Sequence, residues 1–172
     1  MASSINKTIL VIDDEEDVRN YLETALLDAG FKLITSSNGF EGLGKVKSES
    51  PDLVSLDLVM PKHSGVKFHY EMQKDPAFRK IPILIVTGHA RDDLGKSDFD
   101  SLTMQGPGVY LEKPVSPKKY VSKVCQLLNI EVPADFVLGN DDPEEMRNEL
   151  FSSLANADPE LLKRALDALK KK

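Results

Sequence analysis

The sequence predicts a doubly wound α/β fold with a five-stranded parallel sheet, followed by a C-terminal helical hairpin. Three observations predict it. Short aliphatic runs alternate with longer amphipathic ones up to residue 128, the pattern of parallel strands joined by crossover helices. The aliphatic runs end on or just before residues capable of chemistry: Asp13, Asp57, Thr87 and Lys113. Beyond residue 142 the pattern changes to two helix starts of one kind, "DDPEE" and "DPE", each a capping Asp followed by Pro in the first turn.

The elements follow in order. "KTILVI" (7–12) is the first strand. From Glu15 to Ala29, Val18, Leu22, Ala25, Leu26 and Ala29 fall at helical spacing, and Gly30 is the stop. "FKLITS" is the second strand, and "NGFEGLGKVKSES" a helix weakened by glycines. "DLVSL" is the third strand, Val66 to Lys74 a helix, "IPILIVT" the fourth strand and "GVYLE" the fifth. Pro117 to Leu128 is a helix with Tyr120, Val121, Val124, Leu127 and Leu128 inward. The expected division is residues 1–128 as the main domain, 129–142 as a linker that packs through Phe136, Val137 and Leu138, and 143–172 as the hairpin. Met146, Leu150, Phe151 and Leu154 line one hairpin helix, and Leu161, Leu162, Ala165, Leu166 and Leu169 the other.

Composition narrows the function. A net charge of −6 disfavours nucleic-acid binding, which needs a basic surface. No apolar run is long enough to span a bilayer, and "MASSINKTIL" lacks the features of a secretory signal, so a cytoplasmic protein with no membrane partner is expected. The single cysteine, Cys125, reads as a small buried residue. His63 and His69 read as surface residues.

In a doubly wound sheet the ligand site lies beyond the carboxyl ends of the strands. There the sequence puts Asp13 and Asp14 after the first strand, Asp57 after the third, Thr87 at the end of the fourth and Lys113 after the fifth. A buried carboxylate is costly unless paired, hydrogen-bonded or metal-bound. Three carboxylates at one edge repel unless a cation joins them, and magnesium suits a set of one or two carboxylates, water and a phosphate. Such a site suits phosphoryl transfer, with Asp57 as a carboxylate nucleophile, Lys113 pairing the phosphoryl oxygens and Thr87 donating its hydroxyl. Taken singly, each residue is as well explained as a cap, a turn residue or a solvated charge; their shared edge is what argues for function.

With "VIDDE" (11–15), "LDLVMP" (56–61) followed by "SG" at 64 and 65, "VTGHA" (86–90) and "YLEKPV" (110–115), the chain resembles the response-regulator receiver domains of two-component signalling over residues 7–128. The resemblance implies a flavodoxin-like fold, Asp57 as phosphoacceptor, and a histidine kinase or phosphotransfer protein as donor. It also implies Mg2+ held by Asp14, Asp57 and the Val59 backbone carbonyl, with Asp13 acting partly through water. Thr87 and Tyr110 would be the switch pair, and Lys113–Pro114 a cis peptide. The implied role is a phosphorylation-dependent signalling switch, with only weak autophosphatase activity, acting on a downstream protein.

Three departures from the family pattern stand out. "GKSDFDSLTMQGPG" is a poor helix, so the helix between the fourth and fifth strands is expected to be short, displaced or mobile. Val59, two after the acceptor, cannot hydrogen-bond an attacking water, and slow self-dephosphorylation follows. His89, two after Thr87, either orients water or points to solvent. The hairpin is too small for a core of its own, so it packs on the receiver, pairs with another copy as a homodimer, or awaits a partner. Two other functions use similar residues. A haloacid-dehalogenase-type phosphatase also has an aspartyl nucleophile, but needs a second acid where Val59 stands; a non-phosphorylated scaffold receiver would not need the intact acid set.

Overall fold

A computed structural model describes residues 5–88 and 108–138. Its strands are β1 (Thr8–Ile12), β2 (Lys32–Ser36), β3 (Leu53–Leu56), β4 (Ile83–Thr87) and β5 (Gly108–Glu112). The helices are α1 (Glu16–Asp28), α2 (Gly39–Glu49), α3 (Ser64–Lys74) and α4 (Pro117–Leu128), with 3-10 turns at Pro61–His63 and Ala134–Phe136. The sheet is parallel with strand order β2-β1-β3-β4-β5, so the fold is the flavodoxin-like receiver architecture that the sequence predicts. The helix expected between β4 and β5, His89 and the hairpin lie outside the described residues.

Aliphatic side chains on the two faces of the sheet make two cores. On one face Ile9, Val11, Leu53, Leu84 and Val86 pack with Leu22 and Leu26 of α1 and Tyr120, Val121 and Val124 of α4. On the other, Leu10, Ile12, Val54, Leu56 and Ile85 pack with Val46 of α2 and Phe68 and Met72 of α3. Strands β1, β3 and β4 are almost wholly buried, as strands covered on both faces must be. The edge strand β2 is half-exposed and carries Lys32 and Thr35.

Local chemistry sets the helix ends. Asn38 caps α2 by accepting the Glu41 N–H at 2.9 Å, and Ser116 caps α4 ahead of Pro117. The stop after α1 is Gly30, whose φ of 94° lies in the left-handed region that glycine adopts without strain. Residues after α4 continue the core: Ile130, Val132 and Phe136 pack on the α1–α4 layer, while Val137 is exposed. Cys125 is fully buried, and burial pushes its thiol up to about 11.

His69 corrects the sequence reading. It is only 2 % exposed, because Gly65, Phe68, His69 and Met72 form the inward stripe of α3. Burial depresses its pKa below the ordinary 6.5, since the charged imidazole loses its hydration there. Below that value the unfolded chain takes up a proton that the folded one refuses, so stability falls as pH drops through 6.5 and toward the depressed value. Urea midpoints measured at about pH 8 and about pH 5.5 are expected to differ more for the wild type than for His69→Gln.

The α2–α3 contact depends on the absence of a side chain. A Cβ on Gly39 would collide with the Ser64 carbonyl and crowd Phe68, whereas one on Gly44 meets nothing within 4 Å. Gly39→Ala is therefore expected to lower stability by about 1–3 kcal/mol, and Gly44→Ala to raise it by about 0.5–1 kcal/mol. Both values are read from urea unfolding.

Candidate functional site

Strand order reverses between β1 and β3, whose carboxyl ends therefore diverge around a crevice. Asp13 follows β1, with its N–H on the Ser36 carbonyl at 3.2 Å. Asp57 follows β3 and continues the ladder through a 2.9 Å bond from its N–H to the Ile12 carbonyl. Both are buried, at 1 % and 4 % exposure, while Asp14 is exposed.

Backbone and side chains fix the two buried carboxylates. Asp13 Oδ1 accepts the Glu15 N–H at 3.0 Å, and its main-chain carbonyl accepts a 2.7 Å bond from Arg19. Asp57 Oδ1 accepts the Val59 N–H at 3.0 Å. Behind that loop, a Cβ on Gly65 would strike the Asp57 carbonyl, so the start of α3 packs directly on the acceptor's main chain.

One ammonium serves both acids. Lys113 Nζ donates to Asp57 Oδ2 at 3.0 Å and lies 2.8 Å from Asp13 Oδ2 and 3.4 Å from Glu15 Oε1. The Asp13 contact is an ion pair whose angles fall outside hydrogen-bond geometry, so that oxygen keeps unused accepting capacity. Lys113 follows β5, its N–H on the Thr87 carbonyl at 3.0 Å, and its bond to Pro114 is cis. Burial works against the charged form of Lys113, yet the close Asp13 carboxylate and the charge of Asp57 outweigh it and hold the pKa above the ordinary lysine range. For Asp13, burial wins over Lys113, and the nearby Asp57 charge adds to the upward shift.

Thr87 is fully buried and its Oγ1 has no hydrogen-bond partner. Tyr110, on β5 opposite Ile85, is partly buried against the α2–α3 core. Val59 is 38 % exposed beside the acceptor. Carboxylate oxygens of Asp13, Asp14 and Asp57 come within 4.8 Å of one another, which suits a small hard cation with oxygen ligands. The structure thus brings Asp13, Asp14, Asp57 and Lys113 together with Thr87 alongside. It adds Glu15 and Arg19, which the sequence analysis passed over; the acidic run from Asp13 to Asp17 was the available signal for Glu15. A groove of about 490 Å3, lined by Val18, Tyr21, Leu22, Val86 and Val115, opens beside Lys113.

Residues 9–125 match the family model of the response regulator receiver domain. The chain belongs to that family. The receiver is 35 % identical over 126 residues to the alkaline phosphatase synthesis transcriptional regulatory protein PhoP of Bacillus subtilis, a match covering 72 % of this chain and 49 % of that protein. The chain spans about half the length of most of the curated relatives it matches. Among solved structures, a receiver domain protein from Clostridium thermocellum superposes with a TM-score of 0.60 at 29 % identity, covering 72 % of this chain and 94 % of that one. The chemotaxis response regulator CheY4 of Vibrio cholerae, at 22 % identity and a TM-score of 0.61 over 72 % of this chain and 99 % of that one, shares the fold. Receiver domains are in general signalling proteins rather than enzymes, and they typically bind Mg2+ in an acidic pocket such as this one.

Removing Lys113 leaves two buried like charges uncompensated. Lys113→Ala is expected to cost about 3–5 kcal/mol in metal-free buffer, and adding Asp13→Asn to recover part of that loss. A double-mutant cycle in urea checks it.

Proposed function

We propose that the receiver accepts a phosphoryl group on Asp57 from a histidine kinase or phosphotransfer protein and passes the signal on by protein–protein contact. The observation that carries this reading is the buried Asp57 carboxylate held from one side by Val59 N–H and from the other by Lys113, beside two further acids. An Asp57 oxygen attacks phosphorus, the P–N bond to the donor histidine breaks, and the imidazole keeps the electron pair. Water later attacks the acyl phosphate, releasing phosphate and restoring the carboxylate.

Asp13, Asp14, Asp57 and the Val59 carbonyl would hold Mg2+, which when bound neutralises charge on the phosphoryl oxygens. Lys113 has a mobile ammonium within reach and turns to the same oxygens. The phosphoryl group adds about −1.5 to −2 charge, and the unpartnered Thr87 hydroxyl is the nearby donor free to answer it. Tyr110 then follows into the space that Thr87 leaves, a local charge event biasing a two-state loop. Val59 offers water no hydrogen bond, so autophosphatase turnover is slow.

The apolar groove beside Lys113 gives a donor helix a surface next to Asp57. Residues 143–172 are the candidate output, as a hairpin that pairs with a second copy or meets a partner, joined by residues 129–142 to the receiver of residues 1–128. Although PhoP is named a transcriptional regulator, the net charge of −6 and the absence of a helix-turn-helix pattern in residues 143–172 favour a protein target over nucleic acid for this chain. Among the described residues no helix is long and apolar enough to cross a membrane, which suits action in the cytoplasm.

Incubation with Mg2+ and acetyl phosphate is expected to add one phosphoryl mass to the wild type and none to Asp57→Asn. Val59→Asn is expected to shorten the lifetime of that adduct several-fold. Size-exclusion with beryllofluoride reads whether assembly changes. An Asp57 that takes neither phosphoryl nor beryllofluoride refutes the proposal.

A further inference from the structure

The core beneath the acidic site contains two hydroxyls that packing does not need. Ser55 interrupts the aliphatic run of β3 at 1 % exposure, and Tyr120, in the first turn of α4, is fully buried with a hydroxyl that has no partner of acceptable geometry. A buried hydroxyl without a partner costs about 1–3 kcal/mol, and phenylalanine would fill the same volume without that cost.

Their position is specific. Side chains alternate along a strand, so Ser55 lies on the same face as Asp57, one layer below it. Its neighbour across the β1–β3 ladder is Val11, one layer below Asp13. Tyr120 packs into the core on this face, from the helix that begins four residues after Lys113. Burial holds its phenol above the ordinary range, the adjacent Ser55 hydroxyl works against that shift, and the Asp13 carboxylate adds to it. The phenol is therefore within electrostatic reach of both. Asp13, two residues beyond Val11 on β1's path, likewise has a buried oxygen, Oδ2, without a hydrogen bond among the described residues.

We propose that Tyr120 is a positioning residue for Asp13: the Ser55–Tyr120 hydroxyl pair supplies hydrogen bonding to Asp13 from beneath when Lys113 turns from that carboxylate to an incoming phosphoryl group. The proposal rests on the phosphoacceptor reading for the motion of Lys113. The need itself is electrostatic. Lys113 is shared between Asp13 and Asp57, so any movement toward new oxygens deprives the most buried acid of its cation, and in a low-dielectric interior that loss is severe. A neutral donor from the core compensates without adding a charge that would compete with the metal.

The test uses the full chain and two readouts. With beryllofluoride present to draw Lys113 away, Mg2+ affinity by calorimetry is expected to fall about tenfold in Tyr120→Phe, the scale typical of losing an outer-shell partner, and to fall likewise in Ser55→Ala, which serves if the first variant folds poorly. In protein labelled with 13C at the tyrosine ζ carbon, the Tyr120 signal, assigned by single Tyr→Phe substitutions, is expected to shift when Mg2+ is added and again with beryllofluoride. Filling of the core alone moves neither readout. An affinity within about twofold of wild type, or a Tyr120 signal that stays put, overturns the proposal. Failure of the phosphoacceptor reading shows separately, as wild type that takes no beryllofluoride while its Mg2+ titration proceeds.

Discussion

The sharing of one lysine between two buried acids is the constraint on which the site depends. Asp13 and Asp57 are there because β1 and β3 are neighbours in a parallel sheet and end at the same level. Neither is exposed enough for water to screen it, and like charges at this range destabilise the fold unless a cation intervenes. Lys113 reaches them from β5, across β4, and its main chain is tied to Thr87. The order of strands, the register of β4 with β5 and the ionisation of the site are thus one problem with one solution.

The two faces of the sheet contribute differently. On the α2–α3 side the fit is steric: Gly39 lets α2 approach the Ser64 carbonyl, and Gly65 lets the start of α3 lie against the Asp57 main chain. On the α1–α4 side it is polar as well as apolar, with Arg19 holding the Asp13 carbonyl from α1 and Tyr120 and Ser55 lying below. Asp57 is therefore fixed sterically from one side, and Asp13 is held by polar contacts from the other. Thr87, buried at the end of β4 with a hydroxyl that has no hydrogen-bond partner, is the group with least to lose by moving.

Much of this is legible in the sequence, because strand ends are marked by an abrupt change from aliphatic to polar and five such changes share an edge. Boundaries shifted by a residue or two where hydrogen bonding outruns hydrophobicity: α3 begins at Ser64, not Val66, since Gly65 must pack on Asp57. His69 was misread because residue type was weighed above spacing, although Gly65, Phe68, His69 and Met72 have the i, i+3, i+4, i+7 pattern of a buried stripe. Arg19 gave no signal, since a side chain's bond to a carbonyl six residues back leaves no periodic trace. Ser55 was visible as a polar residue in an aliphatic strand, but only the paired burial of Tyr120 gives it meaning.

Residues 126–172 lie beyond the stretch that the family model matches. The covalent route to that region is α4. It starts just after the Lys113–Pro114–Val115 loop, carries Tyr120 in its first turn, is about 18 Å long, and ends at Asn129 in a left-handed cap. The chain then turns back so that Ile130, Val132 and Phe136 seat on the same α1–α4 core. A displacement at Lys113 therefore bears on the first turn of the helix whose last turn anchors the path to the tail. The segment from 129 to 137 is thus held by the same core that takes Val115 and Tyr120 from the start of α4, and close-packed interiors transmit strain instead of absorbing it.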